Sequence, residues 1–207
     1  MFIEALALQN YRNFQEEQFR FREVKTVVIG ENGHGKSNLL EAIYFFAVAK
    51  SGRGSPDRDI VKHGATHYKI QSSIRKGSSR IFIQLHYDQQ SGKKAFVGEN
   101  PLPRLSDLLG TFNAVLFSPE DVDLVLRYPH ERRRMLDILA SQASVSYLSD
   151  LQNYQRTLAQ RNRLLKAGLP APGADAQLRP WDMQLAASGA RITRYRLQAI
   201  ERVGPLA

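Results

Sequence analysis

The sequence predicts an α/β fold: a central β-sheet with an appended antiparallel β-region, and a separate helical hairpin lobe. Three observations carry that reading. A short continuous apolar run, "KTVVIG", ends in a glycine-rich loop and gives way at once to helical spacing. Two segments between residues 67 and 88 alternate between apolar and polar positions. Beyond residue 118 the apolar residues recur at three- and four-residue steps, the period of helices.

Taken in order, "FIEALALQNYRNF" alternates loosely and reads as an opening strand. "EEQFRFREV" alternates at Phe19 and Phe21, so the two are expected to pair as a hairpin. "KTVVIG" at 25–30 has the uninterrupted apolar character of a central strand covered on both faces. After the glycines, Leu39, Leu40, Ile43, Phe46 and Ala47 fall at helical spacing, giving a helix to about Lys50. "SGRGSPDRD" is a loop punctuated by Gly52, Gly54 and Pro56.

"HYKIQSSI" then places Tyr68, Ile70, Ser72 and Ile74 on one face, and "RIFIQLHYD" does the same with Ile81, Ile83, Leu85 and Tyr87. The "RKGSS" between them reads as a hairpin turn, and "QSGKK" begins another toward "AFVG". "NAVLF" at 113–117 is expected to be a further short buried strand.

"SPEDVDLVL" reads as a helix start, with Ser118 as cap, Pro119 at the first helical position, and Glu120 and Asp121 in the first turn. "YPHERRRMLDILA" starts another helix at Pro129. Tyr147, Leu148, Leu151, Tyr154, Leu158 and Leu165 mark one long amphipathic helix, which "AGLPAPGADAQLRP" breaks. A last helix is expected from about Trp181, with Leu185, Ile192, Ala199 and Val203 inward. The expected division is a lobe over 1–118 and a basic helical lobe over 119–207.

Composition bounds the function. Apolar residues make up 43% and charged residues 24%, ordinary for a soluble globular protein. The absence of cysteine rules out disulfides and thiolate metal sites. The N-terminus has no basic region and carries Glu4 inside its apolar run, unlike a signal peptide. The longest uncharged apolar run, 42–49, is far short of the ~20 residues of a membrane span. A soluble cytoplasmic protein is the expectation. The net charge of +9 is uneven: residues 151–207 hold nine Lys and Arg against three Asp and Glu. Nucleic acid is the usual partner of such an arm, and a solvated helix face with no partner is the alternative.

"VVIGENGHGKSNLLEAI" contains Gly30-x-x-x-x-Gly35-Lys36-Ser37, the phosphate-binding loop pattern, between a strand-like run and a helical one. Gly30, Glu31, Asn32, Gly33, His34 and Gly35 would turn their amides around an anion, since glycine adopts backbone angles closed to other residues. The following helix adds its positive end. Lys36 would reach the β- and γ-phosphates of ATP, and the Ser37 hydroxyl would complete the coordination of Mg²⁺. His34 stands at a variable position, its ring expected to face solvent.

The loop and its surroundings resemble the ATP-binding heads of the ABC superfamily, in the branch that holds the structural-maintenance-of-chromosomes proteins and the RecF family. Asn32, Gly33, Asn38, Leu39, Glu41, Ala42 and Ile43 match that branch's loop and helix pattern. "LQNYRNF" is similar to its first-strand signature, which implies that Arg12 and Asn13 meet the nucleotide phosphates. "FSPEDVDLVLRYPHERRRMLD", "YQRTLAQRNRLLK" and "LRPWDMQLAASGARI" resemble RecF segments in the RecF order. The resemblance implies a DNA-binding protein that dimerises on ATP and helps RecO and RecR load recombinase at gapped DNA, associated with the nucleoid.

One departure limits that reading. Hydrolysis needs a later strand ending in acidic residues and a signature loop from a second subunit. The nearest imitation, "AVLFSPED", has Ser118 and Pro119 between the apolar run and the acids. The chain is therefore expected to bind ATP weakly and to lack turnover, as the first half of a RecF protein would. A P-loop phosphotransferase and a DNA- or protein-binding fragment independent of nucleotide are the rival readings. Arg132 and Arg133 on one helix, and Arg191, Arg194 and Arg202 on the last, are the candidate DNA or partner contacts. For the first cluster, pairing with Glu131 or Asp137 is the alternative.

Overall fold

A tight turn at Arg12–Asn13 folds the opening segment back on itself, so that β1 (Phe2–Tyr11) and β2 (Phe14–Arg20) pair antiparallel as the alternation predicts. The other edge of β1 takes β3 (His67–Lys76), and β4 (Ser79–Asp88), β5 (Gly92–Val97) and the short β6 (Asn100–Pro101) follow. All pairings are antiparallel, in the order β2-β1-β3-β4-β5-β6. The opening hairpin and the middle region are thus one continuous sheet, where the sequence suggested a central sheet with an appendage. The "RKGSS" turn leaves Gly77 and Ser78 between paired Lys76 and Ser79, with Gly77 at a positive φ of 62°.

The structure, a computed structural model of the chain, describes residues 1–22, 25–51, 55–122, 129–168 and 174–206. It divides into two units, Met1–Ser118 and Pro119–Ala207.

In the first unit the sheet buries one face. Ile3, Leu6, Leu8, Ile70, Ile74, Ile83 and Leu85 pack with Leu39, Ala42, Phe45 and Phe46 of helix α1 (Lys36–Val48). Tyr11, Phe45 and Tyr68 meet edge to face at centroid distances of 5.9–6.4 Å. Each such side chain contributes roughly 1.5–3 kcal/mol relative to exposure. The buried stripe of α1 differs from the expected one: Leu40 faces out, and the charged Glu41 is buried. The carboxylate tolerates burial because it is fully engaged, as described below.

Two expected strands are absent. Residues 25–30 and 113–117 form no ladder among the described residues. Val27 and Ile29 are 82% and 89% exposed, and Val115 and Phe117 are 83% and 84% exposed. A strand exists only when its N–H and C=O groups find a partner strand, and among the described residues no strand pairs with these runs.

The second unit is helical: α2 (Pro129–Ala143), α3 (Val145–Ala167) and α4 (Ala174–Val203). The segment read as a helix from Ser118 forms only a 3₁₀ turn at Pro119–Val122, and its remainder, 123–128, lies outside the described residues. Ser144 caps α3 by accepting a bond from the Tyr147 amide at 3.2 Å. Tyr147 donates to Asp137, which Arg196 of α4 grips through Nε and Nη2 at 2.9 Å each, so one carboxylate ties three helices. Gly189 of α4 lets Tyr154 of α3 approach; a Cβ there would lie 3.3 Å from the ring.

Three expectations on these helices need correction. The last helix, expected from about Trp181, starts at Ala174, so Pro180 lies inside α4. Half-buried Leu178 and Trp181 flank it, and packing along α3 outweighs the lost backbone bond. Leu165 and Val203 are exposed instead of inward. Both stand near helix ends. No helix among the described residues is long and apolar enough to cross a membrane.

Candidate functional site

The glycine-rich loop leads into α1 through Gly33 and Gly35, at φ of 84° and 90°. Left-handed backbone explains two of the three glycines. Gly35 has a second reason. A Cβ on it would lie 2.6 Å from Phe14 Cζ and 2.7 Å from Asn13 Nδ2, so the β1–β2 turn sits directly on the loop.

Gly35 is also the N-cap of α1, without a side-chain cap and with no acidic residue in the first turn. The first intrahelical bond is Leu39 N to Gly35 O at 2.9 Å. The amides of Lys36 and Ser37, before that bond, are left for an outside partner, and they present a concentrated positive end. The opposite end of α1 is dressed with charge instead. Lys93 of β5 donates to the Ala49 carbonyl at 3.0 Å and to Asp57 at 2.6 Å, and lies 4.7 Å over the Phe45 ring. Burial pulls the Lys93 ammonium below the usual lysine value, and Asp57 partly offsets this. Tyr68 completes the cluster by donating to Asp57 at 2.6 Å.

The expected site residues come together unevenly. Lys36 Nζ arches back over the loop and donates to the carbonyls of Gly30 and Glu31, both at 2.7 Å. Asn32 and Ser37 are exposed beside it, and the His34 ring stands in solvent 3.7 Å from the Glu31 carboxylate. Asn13 accepts a bond from Asn38 Nδ2 at 2.8 Å, and Lys62 holds the Asn13 carbonyl at 3.1 Å.

Arg12 is turned toward α1. Its Nε and Nη2 reach the two oxygens of Glu41 at 3.1 and 2.9 Å, Nη2 also reaches Ser55 Oγ at 3.0 Å, and Nη1 reaches the Asp59 carbonyl at 3.3 Å. Four of its five N–H groups are so engaged. Burial pulls the guanidinium's pKa down, but the Glu41 bonds outweigh it and the net shift is upward. Glu41, only 2% exposed, also accepts from Ser51 Oγ at 2.5 Å. It matched the loop-and-helix motif, but its burial was not foreseen. The signal available was a charged residue four positions before Phe45, on the inward stripe of the helix.

In the helical unit, Arg132 and Arg133 are exposed on α2, and Arg134 lies 3.8 Å from Glu131. Arg191 is bound to Asp150 through Nε and Nη2 at 2.9 and 2.7 Å, while Arg194 and Arg202 are exposed on the same helix. Among the described residues no group of three or more His, Asp or Glu could hold a metal ion unaided.

An uncapped helix start behind two left-handed glycines, carrying lysine and serine at its first positions, fits a phosphate chain. Residues 1–166 match the family described as AAA ATPase domain. Fold and loop together define a P-loop ATPase head. The chain is 39% identical over 198 residues to the DNA replication and repair protein RecF of Bacillus cytotoxicus, covering 96% of this chain and 52% of the relative. It is 41% identical over 216 residues to that of Picosynechococcus, covering 100% and 55%. It belongs to the RecF family.

A solved structure of the recombination mediator protein RecF with ATP superposes at a TM-score of 0.93 with 32% identity, over 98% of this chain and 54% of that one. A structure from work on ATP-driven dimerisation of SMC ATPases matches at 0.53 with 20% identity, a likeness of fold alone. The chain spans about half the length of the curated relatives it matches.

Proposed function

We propose that the chain is the ATP-binding portion of a RecF-type DNA-repair protein. The observation that carries this is the loop itself. The helix start at Gly35 has no side-chain cap, and Lys36 lies across the loop mouth, bonded to backbone carbonyls that phosphate oxygens can replace. The relative solved with ATP supports the choice of nucleotide.

Under this reading, Gly30 to Gly35 wrap the phosphates, Lys36 exchanges its two carbonyl bonds for β- and γ-oxygens, and Ser37 supplies one oxygen to Mg²⁺. ATP brings the charge that makes this exchange favourable. Asn13 stands next to the loop, and Arg12 one residue behind it, so phosphate contact by the turn falls first to Asn13. Arg132, Arg133, Arg194 and Arg202, with the half-committed Arg191, form the DNA- or partner-facing surface. Dimerisation on ATP, DNA binding, and action with RecO and RecR belong to the whole protein. The named residues bind phosphate or Mg²⁺ and none of them activates water, so this chain alone does not turn ATP over.

The test is Lys36→Ala. A fluorescent ATP analogue should bind the variant at least about 100-fold more weakly while the thermal midpoint stays put, because Lys36 contacts only backbone carbonyls. Phosphate release at saturating ATP and Mg²⁺, with or without duplex DNA, should be equal in the two proteins. Unchanged affinity would end the reading, and turnover that vanishes in the variant would overturn the claim of no hydrolysis.

A further inference from the structure

Glu41 is a charge on the buried face of the helix that follows the loop. It lies four residues after Ser37, about 6 Å along the helix axis. Among the described residues its hydrogen bonds go to the β1–β2 turn and to the segment after α1: Arg12 at 2.9 and 3.1 Å and Ser51 at 2.5 Å. A buried ion pair is weak as a source of stability, since desolvation offsets most of its attraction, and an apolar pair would fill the same space. What a two-pronged guanidinium–carboxylate pair does supply is direction.

The turn it holds needs holding. Asn10 and Arg12 both have positive φ, 50° and 54°, a conformation that a non-glycine residue leaves unless its surroundings enforce it. Backbone bonds from Arg12 N to Ile60 O at 2.7 Å and from Lys62 N to Asn10 O at 2.8 Å close the turn from the other side. The next residue, Asn13, is then delivered onto Gly35 and bonded to Asn38. A continuous path runs from Glu41 through Arg12 and Asn13 to the glycine that starts the helix.

We infer that Glu41 is a positioning residue of the phosphate-binding loop: through Arg12 it presses the left-handed β1–β2 turn against Gly35 and so sets the aim of the loop amides. The inference rests on the proposed ATP-binding role of the loop, and Glu41 itself would touch no nucleotide.

The experiment uses Glu41→Gln and Arg12→Lys in the full chain, with two readouts. Amide hydrogen exchange at Leu39, whose amide bonds the Gly35 carbonyl at 2.9 Å, should quicken by about tenfold in both variants of the nucleotide-free protein, since each keeps much of the volume but loses the paired geometry. The fluorescent ATP analogue, titrated well below the thermal midpoint, should bind about tenfold more weakly, with Lys36 intact. Variants that melt earlier but keep wild-type exchange and affinity would overturn the inference, leaving Glu41 a support of the core only. Should both variants fail to fold, Asn13→Ala decides. It leaves the ion pair in place, and faster exchange at Leu39 upholds the path while unchanged exchange overturns it. A wild-type chain that binds no ATP analogue refutes the proposed function, yet the exchange readout still judges the role of Glu41.

Discussion

The β3–β4 hairpin and the runs at 25–30 and 113–117 are written in much the same residues, and they meet opposite fates. Ile70, Ile74, Ile83 and Leu85 are buried, while Val27, Ile29, Val115 and Phe117 are more than four-fifths exposed. The difference lies in where each segment's neighbour comes from. An antiparallel strand finds its partner across a two-residue turn, as Lys76 and Ser79 do. A continuous apolar strand of the buried type needs partner strands from distant chain, and no strand among the described residues pairs with these runs. Apolar pattern states a demand for burial, and pairing decides whether the demand is met.

The sharpest way to break that comparison is to truncate on both sides of it. Ile70→Ala or Leu85→Ala should cost about 2–5 kcal/mol in urea unfolding, the usual loss for a buried aliphatic side chain. Ile29→Thr or Phe117→Ser should stay within about 0.5 kcal/mol, and should lower light scattering by shrinking an exposed apolar surface. A large loss at Ile29 or Phe117 would mean that these runs are paired in solution after all.

The next prediction carries the comparison into the helical unit, where charge takes the place of apolar surface. Removing Arg191, Arg194 and Arg202 together should reduce the log–log salt slope of DNA binding by about two to three. The lower figure is favoured, because Arg191 is already bound to Asp150. An unchanged slope would assign these arginines to water or protein.

The smallest effect belongs to the paired sheet. Glu4 of β1 bonds Arg80 and Arg75 across two strands, and these bonds hold its carboxyl below the ordinary 4.5. A depressed acid stabilises the fold above its unfolded pKa and stops doing so as pH falls through the folded one. The urea midpoint should therefore drop somewhat faster below pH 4.5 in the wild type than in Glu4→Gln. Parallel pH profiles would show that the cross-strand bonds contribute nothing.

Much of the molecule was legible in its residues because its signals are local. The loop motif, the "RKGSS" turn, the alternation from Tyr68 to Tyr87 and the helix start at Pro129 each need only neighbouring positions to be read. The misreadings share a different cause. Pro180 stays helical because of what α3 and α4 cover jointly, which no local rule contains. The Arg12–Glu41 and Arg196–Asp137 pairs join positions 29 and 59 residues apart. Spacing along the chain is silent about such partners: the resemblance of "LQNYRNF" points Arg12 at phosphate, and only the fold brings it to Glu41.

Trp181, half-buried beside Pro180 in α4, is the chain's single tryptophan, and it stands in the unit that lacks the phosphate-binding loop. The loop's own unit carries Tyr11, Tyr44, Tyr68 and Tyr87 instead, with Tyr68 and Tyr87 stacked at 5.4 Å. Emission excited at the red edge of the absorption band therefore watches the helical unit alone, whereas near-ultraviolet circular dichroism sums both units, since Tyr147, Tyr154 and Tyr195 share the helical one with Trp181. A midpoint read from tryptophan emission is the midpoint of the helical unit, and the part that holds Lys36 needs a probe of its own.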